Sequence, residues 1–115
     1  MQSNTYGKRS EIIATEYLKE KGYKILETNY KNKIGEIDII AQDKDYIVFV
    51  EVKARLSQKF GHPFDAIDER KQQKIRAIAS IYLINNKKYG TKCRFDAISI
   101  LGLENPEICH LVDAF

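Results

Sequence analysis

The chain has 115 residues, of which 43% are hydrophobic and 30% charged, and a formal net charge of +3. That length sets one domain with one self-sufficient core as the expectation, and the composition argues against wholesale disorder. There is no apolar run near the roughly 20 residues of a membrane span, no apolar signal core at the start, and only two cysteines and two isolated histidines, too few for a disulfide scaffold or a zinc site. Reduced thiols, a cytoplasmic location and no membrane partner are therefore expected.

In chain order, a helix is predicted over residues 5–21, where Ile13, Ala14, Tyr17 and Leu18 recur at three- and four-residue spacing before the stop at Gly22. Residues 23–30 read as a first strand. After a turn at Asn32 and Lys33, residues 34–41 read as a second, with Ile37, Ile39 and Ala41 on one face and Glu36, Asp38 and Ile40 on the other. A turn at residues 43–45 leads into residues 46–54, the most apolar strand and the expected sheet centre. Residues 56–68 are irregular, with Gly61 and Pro63. Asp68 can cap a helix running to about Asn85, with Ile75, Ile78, Ala79 and Tyr82 on its core face. Residues 92–101 and 108–112 are closing strands. The order α-β-β-β-α-β-β predicts an α/β fold, a mixed central sheet flanked by helices, in a single domain over residues 1–115.

Charge is unevenly distributed. Residues 53–94 hold eleven bases against three acids, whereas the segments on either side are net acidic. Such a block suits a phosphate-binding surface, and equally a plain solvated one.

The segment that carries chemistry runs from Gly35 through Asp38 to Glu51-Val52-Lys53. Glu51 and Lys53 are two apart on one strand and project from the same face. In a hairpin with an even loop, Asp38 pairs with Phe49 or Glu51, which puts it on that face too. Two carboxylates and an ammonium then share a patch near the sheet centre. Like charges on adjacent strands repel, and charges beneath a helix lose solvation. A divalent cation removes both costs: Mg²⁺, or Mn²⁺ in its place, takes oxygen ligands, lowers the pKa of a bound water and offsets charge on a phosphoryl transition state. Lys53 can orient the water or stabilise that charge.

Asp38 followed by Glu51-Val52-Lys53 resembles the Asp…Glu-X-Lys core of the PD-(D/E)XK nuclease superfamily, with Ile37-Asp38 where that pattern has Pro-Asp. With Tyr23-Lys24-Ile25-Leu26, Phe60-Gly61-His62-Pro63, Lys71-Gln72 and Arg94-Phe95-Asp96 added in order, nearly the whole chain resembles the YraN-like bacterial family, itself similar to archaeal Holliday junction resolvases. The resemblance implies a restriction-endonuclease-like α-β-β-β-α-β core and a metal-dependent endonuclease acting on DNA, including branched or junction DNA. It also implies a fourth site residue on the first helix, where Glu11 is the matching position, so that Glu11, Asp38 and Glu51 would hold Mg²⁺ or Mn²⁺ beside Lys53. Helical geometry alone does not choose Glu11 over Glu20, and Glu36 is expected to be an ordinary solvated carboxylate.

Arg70, Lys71 and Lys74 crowd the start of the second helix, where the macrodipole disfavours cations and a phosphate would reverse the cost. Gln72 could bond a phosphate or the attacking water. Arg55 and Lys59 flank or lie in the 56–64 loop, a candidate flap over nucleic acid. Asp96 is expected to form structural hydrogen bonds, and Cys93 and Cys109 to be ordinary small apolar residues. Cutting two opposed strands would need a homodimer, with Ile98, Ile100 and Leu101 as the candidate contact surface. The rival expectation is a non-catalytic module on the same fold that binds nucleic acid or a protein partner.

Overall fold

The computed structural model describes residues 5–55, 67–102 and 104–115, with side chains from residue 7 onward. Helix α1 spans Thr5–Glu20 and buries Ala14 and Leu18 completely. It ends as its sequence requires: Gly22 takes a left-handed φ of 94°, the Tyr23 N–H reaches the Leu18 carbonyl and the Gly22 N–H reaches that of Lys19, both at 3.0 Å. Strands β1 (Lys24–Lys31), β2 (Glu36–Asp43) and β3 (Tyr46–Arg55) follow, then α2 (Glu69–Asn85), β4 (Lys92–Leu101) and β5 (Glu107–Leu111). Asp68 caps α2 by accepting the Lys71 N–H at 2.9 Å.

The five strands lie in the order β1-β2-β3-β4-β5. All neighbours are antiparallel except β3 and β4, which α2 connects as a parallel pair. The sheet is therefore mixed, and β3 is its centre, as its apolar run implies. Val48 and Val50 pack beneath α1 with Ala14, Leu18, Ile39, Ala41, Ile98 and Ile100. Ile47 and Phe49 pack beneath α2 with Ile75, Ile78, Ala79 and Tyr82. A strand covered on both faces has no polar alternation to keep.

Two expectations are corrected. Ile37 does not share a face with Ile39 and Ala41; it packs on the α2 side, and Ile40 with it. The alternation breaks at Asp38, opposite Asn29 of β1, whose φ of 53° is left-handed, a conformation Asn tolerates. Ile98 and Ile100 are not a dimer surface: both are fully buried under α1, because β4 is an interior strand.

At the β4–β5 end, Asp96 is fully buried and accepts four hydrogen bonds. Two come from Arg94, one from His110 Nε2 at 2.8 Å and one from the Asp113 N–H. Arg94 continues to Asp43 and the Tyr23 hydroxyl, and His110 Nδ1 lies 3.1 Å from the Tyr17 hydroxyl. Asp96 thus has the structural role expected of it. Cys93 and Cys109 are free thiols. Among the described residues, no helix is long and apolar enough to cross a membrane.

Candidate active site

β2 and β3 pair from Asp43↔Tyr46 to Ile39↔Val50. Continuing that register sets Asp38 opposite Glu51, but there a side chain replaces the ladder: Asp38 Oδ2 accepts the Val52 N–H at 2.8 Å. β2 remains paired with β1 out to Lys31↔Glu36, and β3 with β4 out to Arg55↔Leu101. The sheet therefore parts between β2 and β3, with a carboxylate closing the end of the seam.

Asp38 lines a cleft of about 480 Å³ together with Gly7, Lys8 and Glu11 of α1, Asn29 and Lys31 of β1, and Glu36. Burial pushes its carboxyl up to about 8; the charge of Glu51 adds to this, the Val52 N–H opposes it, and Glu11 and Glu36 push it further. Three other carboxylates thus act on Asp38. Glu11 is on the cleft, whereas Glu20 is exposed nine residues further along α1, roughly 14 Å at 1.5 Å per residue. Of the two, Glu11 is the one that lines the cleft with Asp38. Glu36 is exposed, yet it also lines the cleft.

Glu51 and Lys53 are half-buried on the α2 side of β3, since Val50 and Val52 between them pack with the α1 cluster. Asp38, at the break in alternation, opens instead toward the first turns of α1. The patch expected on one face runs through the seam of the sheet rather than over it.

The Glu51 carboxylate has a partner the sequence did not indicate. Lys71 Nζ lies 2.8 Å from it, with the Glu51 side chain 12% exposed and that of Lys71 38%. The cost of a cation at the start of α2 is thus offset by an acid of β3, not left for a phosphate. Gln72 donates to the Ile67 carbonyl at 3.1 Å, so its amide stabilises the helix start. The Lys74 stem crosses Gly35, where a Cβ would lie 2.9 Å from Lys74 Cε and 3.1 Å from Ile78 Cδ1, so a larger residue there would make the lysine shift. Arg70 is exposed on the first turn of α2. Arg55 ends β3, its carbonyl accepting the Gly102 N–H at 3.1 Å. Lys59, His62 and the 56–64 segment lie outside the described residues.

Lys8 and Lys31 were missed, because both fall outside the basic 53–94 block. One signal was present: Lys8 stands three residues before Glu11, on the same helical face. Among the described residues, no three acidic, histidine or cysteine side chains converge on one point. The acids lining the cleft, Glu11, Glu36 and Asp38, nevertheless offer oxygen donors of the kind Mg²⁺ and Mn²⁺ take alongside bound waters. In donor chemistry, though not as a formed cage, they fit such an ion.

The profile of an uncharacterised protein family, UPF0102, matches residues 10–100. The UPF0102 protein of Clostridioides difficile (strain 630) is 47% identical over 115 residues, covering 100% of both chains. That of Caldanaerobacter subterraneus is 47% identical over 121 residues, covering 100% of this chain and 98% of its own. That of Acetivibrio thermocellus is 50% identical over 116 residues, covering 95% and 89%. A solved chain from the "Structure of EndoMS-dsDNA2 complex" aligns with a TM-score of 0.41 and 22% identity over 76% of this chain; the match spans 34% of that longer chain.

Proposed function

We propose that this chain, which belongs to the uncharacterised protein family UPF0102, is a cytoplasmic, metal-dependent endonuclease. It hydrolyses phosphodiester bonds of DNA, with branched and junction DNA as candidate substrates. The observation that carries this reading is the seam between β2 and β3. There a half-buried Asp38, bonded to the neutral Val52 N–H, meets the field of Glu51, Glu11 and Glu36, with Lys53 two residues beyond Glu51.

Asp38 and Glu51 would hold a Mg²⁺ or Mn²⁺ ion from the two parting strands, and Glu11 from α1. Bound there, the ion supplies a Lewis acid and a water of lowered pKa. Lys53 orients the attacking water or stabilises charge growing on the phosphoryl oxygens. Lys8 and Lys31 line the cleft, and Arg55, Arg70 and Lys74, at the end of β3 and the start of α2, would add further contacts to phosphates. A homodimer would set two such clefts against opposed strands.

Labelled single-strand, duplex, flap and junction DNA, and RNA, incubated with Mg²⁺, Mn²⁺ or chelator, test the reading. Metal-dependent cutting by the wild type is expected, with a loss of roughly 100-fold or more in Glu51→Ala and Lys53→Ala. Undiminished cutting by either folded variant would remove that residue from the mechanism. A second reading, a DNA-binding module that does not cut, is favoured by the Lys71 ammonium on Glu51, which neutralises the carboxylate without a metal. It predicts salt-sensitive binding with no cleavage of any substrate.

A further inference from the structure

We propose that Lys71 is a built-in counter-cation of the site: it holds Glu51 until a divalent ion arrives, then turns onto a phosphate of the substrate. The proposal rests on the metal-dependent reading above and adds a coupling between metal and DNA.

The two charges at the seam are compensated differently. Asp38 receives a neutral donor, the Val52 N–H. Glu51, the more enclosed partner at 12% exposure, receives a full ammonium at 2.8 Å. A carboxylate that enclosed needs a charge partner, since leaving it alone loses hydration without return. Lys71 is the more open of the two, so its side chain can leave without dragging the helix. Its backbone stays fixed, because the Lys71 N–H is bound by the Asp68 cap at 2.9 Å. Four rotatable bonds and a compact point charge make the exchange easier than it would be for a bidentate arginine.

The position also explains where Lys71 goes. At the start of α2 the macrodipole opposes a cation, so Glu51, not the helix, holds Lys71 in place. Once Glu51 turns to a metal ion, the Lys71 ammonium is released, and a backbone phosphate of the substrate takes it up. Metal and DNA then assist each other, and the coupling is reciprocal: each raises the affinity for the other by the same factor.

Mn²⁺ titrated calorimetrically into the full chain tests this. Lys71→Met keeps the stem and removes the charge; Lys88→Met removes an exposed charge beyond the far end of α2. We expect Lys71→Met to bind Mn²⁺ about tenfold more tightly than wild type without DNA, and Lys88→Met to change little. Added duplex DNA should tighten Mn²⁺ binding to wild type and leave Lys71→Met unmoved. On the unmodified protein, acylation of Lys71 read by mass spectrometry should rise when Mn²⁺ is added. Equal Mn²⁺ affinity in wild type and Lys71→Met, or acylation indifferent to saturating Mn²⁺, would overturn the counter-cation role while leaving the metal site standing. Absence of Mn²⁺ binding to wild type and variant alike would overturn both.

Discussion

At the scale of single residues, Asp38 sets the chemistry and its pH dependence. Its folded pKa, about 8, lies above the ordinary 3.8 because of burial first and the Glu51 charge second. The folded state therefore favours the protonated form. The stability it contributes is complete below about pH 4 and is lost as pH rises through about 8. With chelator present, Asp38→Asn should melt at a higher temperature than wild type at pH 9 and show little advantage at pH 4, because asparagine keeps an acceptor for the Val52 N–H. Thermal melts across that range check it. The register that sets Asp38 beside Glu51 was legible in the sequence because hairpin pairing is a local rule; the side to which Asp38 opens was not, because the strand alternation breaks there. The Lys71–Glu51 pair was not, since twenty residues and a crossover separate them and no periodicity links a strand to a helix packed on it.

Among the elements, α1 and β4 both hold side chains fully enclosed in the core. Leu18 is fully enclosed between α1 and the sheet, so Leu18→Ala should cost about 2–5 kcal/mol in urea unfolding. On β4, burial acts to raise the pKa of Asp96, yet hydrogen bonds from His110, Arg94 and the Asp113 N–H outweigh it and hold the carboxyl below its ordinary value. That contribution is present above about pH 4 and is lost as pH falls through the lowered folded value. Asp96→Ala should destabilise by about 3–5 kcal/mol near neutrality, where Arg94 would be left without its buried partner. Denaturant melts at pH 7 and pH 3 measure both effects. Element positions were legible to within a residue or two because Gly22 and Asp68 are local stop and start signals. The face taken by Ile37 was not, because the alternation breaks at Asp38 and no local sequence pattern marks that break.

For the whole molecule, charge distribution in sequence and in space differ. The basic 53–94 block suggested one phosphate-binding surface, but folding adds Lys8 and Lys31 to the cleft and ties Lys71 to Glu51. If the cleft rim binds phosphate, Lys8→Ala and Lys31→Ala should each reduce the slope of log affinity against log salt by about 0.9 for duplex DNA, equally across sequences. Fluorescence anisotropy from 50 to 200 mM salt reads this, and unchanged slopes would remove both lysines from the DNA path. A dimer surface was not legible, because burial of Ile98 and Ile100 depends on the strand order of the entire sheet. The parted seam also gives the protein an internal spectroscopic reporter. The Val52 N–H is held by a carboxylate oxygen where a ladder carbonyl would otherwise be, so its resonance follows the state of Asp38. In a nitrogen–proton correlation spectrum, this one cross-peak should move as Asp38 ionises or takes up a cation, while peaks from the far end of α2 stay still. Occupancy of the cleft could then be followed in solution without a substrate or a label.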